Sequence, residues 1–183
     1  MRLYHYTAFL YLPEILRDGI TRGEVPINPH TRTLADNAAN LTTSRDALAQ
    51  QKTWAEGILD KTKIRIIVEI QESELMTFGQ LKKKYSLSKE WLNRIDPHKE
   101  GKHWYYAFGG VKRSQFVRVE IRSENRYKPI KDAELTDLVQ KIELEIERAL
   151  IIDPKTNSTL VNDFVLRFKL GVCESWLVDG TES

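Results

Sequence analysis

Apolar and polar positions alternate with a period of two from Leu3 to Thr7, so Leu3, His5 and Thr7 share one face of a short β-strand and Tyr4 and Tyr6 share the other. The period then lengthens to helical spacing at Phe9, Leu12 and Leu16. Pro13 suits a first turn and Gly19 supplies the stop, which predicts a strand running at once into a short helix. From Thr21 to Asn40 the pattern dissolves into prolines, asparagines and threonines, the composition of a long loop; its place between two strands predicts a lid over a cleft entrance. Leu41 to Ser44 reads as a second strand. Ser44 with Asp46 caps a helix through Leu48 and Trp54 to Gly57, and Lys63 to Ile70 alternates as a central strand.

Thr77 to Arg94 predicts two short helices broken between Ser86 and Ser88. His103 to Phe108 is strand-like, Gly109-Gly110 marks a bend, and Phe116 to Ile121 is the strand at which the sheet is expected to end. Beyond Pro129, Leu135, Leu138, Val139, Ile142, Ile146 and Leu150 fall on one stripe of a long helix that starts at Asp132 and stops before Pro154. A second helix from Ser158 closes at Gly171. Short strands joined by irregular loops, without regular crossover helices, predict an α+β fold with an antiparallel sheet. A soft boundary at Ser123 to Pro129 gives a core over 1–125 and a helical extension over 126–183, packed as a single compact domain. The C-terminal helical pair is expected to cap the core or to mediate a homodimer.

Length and charge narrow the classes. The chain has 183 residues, 41% of them hydrophobic, enough to bury a core as one domain. Its formal net charge of +2 supplies no global field toward nucleic acid or an anionic membrane, although local Lys/Arg clusters such as Lys82-Lys83-Lys84 can touch phosphate. The lone Cys173 excludes an internal disulfide and suits a reducing compartment. With no long apolar run and an opening that goes straight into patterned sequence, the expected location is cytoplasmic.

Several familiar sites are missing from the sequence: no Gly-rich phosphate loop, no His-Glu-x-x-His, no paired cysteines and no Gly-x-Ser-x-Gly elbow. His30, His98 and His103 are scattered and read as surface or capping residues, so no metal is expected. What remains is an ordered set: His5 and Thr7 on the first strand, Thr42, Thr43 and Ser44 on the second, an aromatic helix with Trp54, and an acid near a late strand.

Tyr4-His5-Tyr6-Thr7, the helix ending Ile15-Leu16-Arg17-Asp18-Gly19-Ile20, and Leu41-Thr42-Thr43-Ser44 resemble the first blocks of the ADP-ribosyltransferase-like superfamily. That group includes diphtheria-toxin-type transferases, DNA-modifying toxins of the DarT type and RNA 2′-phosphotransferases. The resemblance covers about the first two-thirds of the chain and implies a split β-sheet whose cleft binds NAD. It assigns His5 to ribose hydroxyls through an imidazole nitrogen, with Thr7 beside it. Thr42, Thr43 and Ser44 would support the pocket, and Tyr6, Trp54 or Tyr105 would stack on nicotinamide. The plainer alternatives are a satisfied structural histidine, helix capping and core packing.

The sequence departs from the family pattern at the acid. Transferring members place a glutamate at the start of the fifth strand, where it supports the positive charge that develops as the glycosidic bond breaks. Here Glu100 is nearest, flanked by Lys99 and Lys102, and His103 stands about where a glutamate beside tryptophan would be. Glu120 and Glu69 lie behind it as candidates because both sit inside strands.

The resemblance therefore implies NAD-dependent ADP-ribosyl transfer to a protein or nucleic-acid acceptor, as in a toxin, phage or defence effector, with Glu100 and His5 as the catalytic pair. One alternative is a nucleotide-binding or protein-interaction module without catalysis. Another is RNA 2′-phosphate removal, for which Arg2, Arg17, Arg45 and Arg65 are available.

Overall fold

The structure, a computed structural model, describes residues 1–21, 23, 25, 38–46, 60–123 and 126–152. Its order is β1 (Arg2–Thr7), α1 (Leu12–Asp18), β2 (Ala39–Thr42), β3 (Ile64–Glu69), β4 (Met76–Thr77), α2 (Phe78–Lys84), α3 (Lys89–Ile95), β5 (Trp104–Ala107), β6 (Phe116–Ser123), β7 (Arg126–Pro129) and α4 (Asp132–Ile152). The fold is mixed α+β. The strands form one seven-stranded antiparallel sheet in the order β4-β5-β2-β1-β3-β6-β7.

The N-terminal block follows the sequence pattern closely. A 3-10 turn at Phe9–Tyr11 leads into α1, with Pro13 in its first turn, where a missing N–H costs nothing. Gly19 closes the helix at φ 85°, and its N–H donates to Ile15 O at 2.9 Å. A Cβ there would collide with the Val111 carbonyl, because Ile20 and Val111 exchange backbone bonds of 2.8 and 3.0 Å. Glycine is required twice over at this position, by the left-handed backbone and by the close approach.

Strand register divides the sheet chemically. Leu3, Thr7, Ile64, Ile66, Val68, Val119 and Ile121 lie on one face and are buried. Full burial of each aliphatic side chain contributes about 1.5–3 kcal/mol. On the opposite face Tyr4, Tyr6 and Ile67 form a cluster against Tyr127. Farther along that face, α2 lays Phe78 and Leu81 on Tyr106 and Trp104, the Phe78 and Trp104 rings 5.1 Å apart. Thr77 caps α2 through a reciprocal pair with Gln80, and Ser88 caps α3.

Pairing is uneven across the sheet. β1 and β3 are registered over six residue pairs, from Arg2 opposite Glu69 to Thr7 opposite Ile64, whereas β1 and β2 are registered only at Tyr4 opposite Thr42. Among the described residues, bonds involving side chains that cross this narrow junction include His5 Nδ1 to Asn40 O at 2.8 Å, Tyr6 OH to Ser44 O at 3.1 Å and Arg45 Nε to Tyr4 OH at 2.8 Å.

Three differences from the sequence reading matter. β2 lies two residues earlier than expected, so Thr43 and Ser44 follow the strand. The two-residue β4 was not anticipated. The sheet does not end with β6, since β7 pairs with it from Glu120 opposite Pro129 to Ser123 opposite Arg126. The chain falls into two compact units, Met1–Lys131 and Asp132–Ser183, with β7 in the first. In the second, α4 begins at Asp132 as its apolar stripe predicts. The expected helix from Ser158, Cys173, the helix containing Trp54 and most of the Thr21 to Asn40 loop lie outside the described residues. No helix among the described residues is long and apolar enough to cross a membrane.

Candidate functional site

Because paired residues on neighbouring strands share a face, the β-registers settle which predicted side chains can meet. Tyr4 opposite Thr42, and Thr42 opposite Trp104, put Tyr4, Tyr6, Thr42 and Trp104 on one face. His5, Leu41 and Tyr105 then occupy the other. Just past the strand end, Thr43 and His103 continue that second set: Thr43 N–H donates to His103 O at 3.1 Å, and Thr43 Oγ1 is 3.0 Å from His103 Nδ1. The predicted residues are thus sorted between two faces.

His5 is half-buried, and its Nδ1 is 2.8 Å from Asn40 O. A carbonyl oxygen only accepts, so Nδ1 carries the proton and Nε2 of the neutral ring carries a lone pair. Burial pulls the pKa down to about 4, against the Asn40 bond, which raises it, and with the help of the nearby Lys61 charge. At neutral pH the ring is therefore an uncharged acceptor at Nε2. Such a group can receive a hydroxyl or amide hydrogen.

The other predicted polar residues divide by what already occupies them. Thr7 is buried beside Ile64. Thr42 is also buried, and its Oγ1 accepts from Ser44 N–H at 3.0 Å, closing the turn after β2. Ser44 Oγ accepts from Asp46 N–H at 3.3 Å, a local side-chain-to-backbone turn. Tyr6 uses its hydroxyl on Ser44 O, and burial raises its pKa to about 12, so it stays a neutral donor. Thr43 and Tyr105 are half-buried on the His5 face.

Glu100 opens a 3-10 turn, Glu100–His103, that delivers the chain into β5; Lys99 before it adopts a left-handed backbone at φ 58°. The turn is held by Asp96, whose Oδ2 accepts from Gly101 N–H at 3.1 Å. No bond among the described residues ties Glu100 to His5 or Thr43. The member of this turn that reaches Thr43 is His103, which the sequence pattern reads as a surface or capping residue. The usable signal was its position directly before the aromatic strand.

The opposite face carries an ionic cluster. Arg65 donates from Nε to Glu120 at 2.6 Å and lies 4.0 Å over the Tyr127 ring and 5.3 Å from the Tyr4 ring. Arg118 closes on the other oxygen of Glu120 at 2.8 Å. Glu120 is only 2% exposed, so two guanidinium groups neutralise it in place. This is the ordinary pairing expected of an acid inside a strand. Nearby, Arg122 pairs with Asp60 at 2.9 Å and Tyr127 OH donates to Thr62 O.

A separate open cleft of 470 Å³ lies between α2, α3 and the Glu100–His103 turn, with Gly101 and Lys102 in its wall. Among the described residues, none of the predicted nucleotide-binding residues lines it. Among the described residues no group of three or more His, Cys, Asp or Glu gathers as a metal site. Comparison with protein-family models, with curated proteins and with solved structures finds no match.

Proposed function

We propose that the protein is an NAD-consuming ADP-ribosyltransferase whose sheet is of the split type resembled by its first strands. The observation behind this reading is the shared face of His5, Thr43, Tyr105 and His103, with His5 neutral and its Nε2, which bonds to none of the described residues, able to accept a ribose hydroxyl. The narrow β1–β2 junction supports the split-sheet part.

In the proposed reaction the bond between ribose C1′ and nicotinamide nitrogen breaks, and nicotinamide leaves with the bonding pair. Positive charge builds on the ribose, where the Glu100 carboxylate supplies electrostatic support. The acceptor nucleophile then bonds to C1′ and releases its proton to a base or to water. His5 holds the ribose, and the Tyr105 ring and Thr43 hydroxyl line the pocket. A cellular role as a toxin, phage or defence effector fits this chemistry.

The test is mass spectrometry of purified protein with NAD, reading free nicotinamide and mass added to the protein or to supplied DNA, RNA and lysate. His5→Asn keeps a side-chain N–H for Asn40 O but removes Nε2; it should stay folded and lose at least about tenfold in NAD affinity. Glu100→Gln should bind NAD normally and turn it over about 100-fold more slowly. NAD binding without nicotinamide release would instead support a binding module. No NAD binding, with release of phosphate from 2′-phosphorylated RNA, would move the assignment to phosphate removal. Against that last outcome, Arg17 pairs with Asp18, Arg65 with Glu120, and Arg45 with the Tyr4 hydroxyl.

A further inference from the structure

A threonine hydroxyl is a weak nucleophile until a neighbouring base takes its proton. Several hydroxyls among the described residues are held by groups that are not bases: Ser44 Oγ donates to Asp46 O, Thr77 Oγ1 to the Gln80 amide oxygen and Thr136 Oγ1 to Asp132 O. Thr62 does face a carboxylate, that of Asp60, but it is fully buried. Thr43 differs from all of these. It is half-buried, and its Oγ1 lies 3.0 Å from an imidazole nitrogen, His103 Nδ1. The main chain holds the two residues together as well, through Thr43 N–H and His103 O at 3.1 Å. With the ring proton on Nε2, Oγ1 donates to the Nδ1 lone pair, and a hydroxyl within reach of a base in this way is an activated nucleophile.

Position then selects the electrophile. Tyr4 pairs with Thr42 and Leu41 with Tyr105, so His5, Leu41 and Tyr105 form one row across the face and Thr43 stands one step along it. Such diagonal neighbours on antiparallel strands are about 7–8 Å apart. In the transferase reading, on which this inference rests, a ribose hydroxyl bonds to His5 Nε2. A sugar seated in that gap can present its anomeric carbon to Thr43 Oγ1 at the roughly 3–3.5 Å that attack requires.

We propose that Thr43 is a self-modification site whose Oγ1 accepts ADP-ribose from NAD. The bond between C1′ and nicotinamide nitrogen breaks, and nicotinamide leaves with the bonding pair. An Oγ1 lone pair forms the new bond to C1′, and the hydroxyl proton passes to His103 Nδ1. The imidazolium then sheds its other proton to water from Nε2, which bonds to none of the described residues. The attached ADP-ribose covers the face at which the next NAD must bind, so labelling of Thr43 limits the turnovers of each chain.

The experiment incubates the full chain with NAD and no other acceptor, and reads nicotinamide release, intact mass and the position of the label by peptide mapping. Wild type should gain a single ADP-ribose, mapped to Thr43, and nicotinamide release should slow as the label accumulates. Thr43→Ser keeps the hydroxyl and should be labelled at the same position, whereas Thr43→Val should carry no label there. His103→Asn keeps a side-chain oxygen for the Thr43 hydroxyl but is not a base; at saturating NAD it should label Thr43 at least about 100-fold more slowly. Free ADP-ribose in place of NAD should leave Thr43 unlabelled, because no nicotinamide leaves. Nicotinamide release with no mass on Thr43, undiminished labelling in His103→Asn, or labelling by free ADP-ribose would overturn the proposal and leave the transferase reading standing. Wild type that neither releases nicotinamide nor gains mass would overturn both.

Discussion

Thr43 Oγ1 lies 3.0 Å from His103 Nδ1, joining the end of β2 to the entry of β5 across 60 positions of sequence. The same two residues are also joined through Thr43 N–H and His103 O. A hydroxyl can donate to an unprotonated Nδ1 or accept from a protonated one, so Thr43 fixes the orientation of the ring in either tautomer. Thr43→Val should free that ring, change the His103 imidazole NMR chemical shifts at constant pH and cost about 0.5–1.5 kcal/mol of stability. Unchanged shifts and stability would show that the hydroxyl does not hold the imidazole.

Acid should destabilise the protein through His5. Its folded pKa of about 4 lies below the ordinary histidine value of 6.5, so between these pH values the unfolded chain binds more protons. Stability is then whole above pH 6.5 and falls as pH drops toward 4, by at most about 1.4 kcal/mol per pH unit. Urea melts of His5→Asn should show a shallower decline over this window than wild type. Parallel curves would mean that His5 does not stay neutral on folding.

Removing one partner from the Arg65–Glu120 pair leaves the other desolvated and unmatched. Glu120→Gln should therefore cost about 3–5 kcal/mol, while Arg65→Met with Glu120→Leu should cost less than Glu120→Gln alone. Chemical denaturation of the three proteins decides it. A double variant worse than the single one would mean that the pair contributes net stability.

Gly101 is packed so tightly under the Phe78 ring that a Cβ would overlap it, and Asp96 blocks the other side. Gly101→Ala should lower stability by about 1–3 kcal/mol and alter the intrinsic fluorescence of Trp104, whose ring packs at a tilt against Phe78. An unchanged melting temperature and emission spectrum would show that the turn has room to move.

Much of the fold was legible where periodicity is strong. The alternation around His5 placed it opposite Tyr4 and Tyr6, and the break expected between Ser86 and Ser88 does separate two short helices, α2 and α3. β7 escaped notice because Arg126-Tyr127-Lys128-Pro129 reads as a linker when its partner strand is unknown. β4 is too short to show any period. The candidate site was legible only by strand. Which of Thr42, Thr43 and Ser44 joins His5 depends on where β2 ends, and a one-residue slip exchanges the faces. His103 was set aside because its partner is distant in sequence and only tertiary pairing brings the two together.

The sparse pairing between β1 and β2 has a mechanical consequence. Main-chain rungs hold β1 to β3, but much of the fastening between β1 and β2 passes through the His5 imidazole and the Tyr4 and Tyr6 hydroxyls. Side-chain fasteners can be loosened chemically where a backbone ladder cannot. Pulled across its strands, this sheet should part first at that seam, and a molecule gripping His5 would raise the force needed to open it.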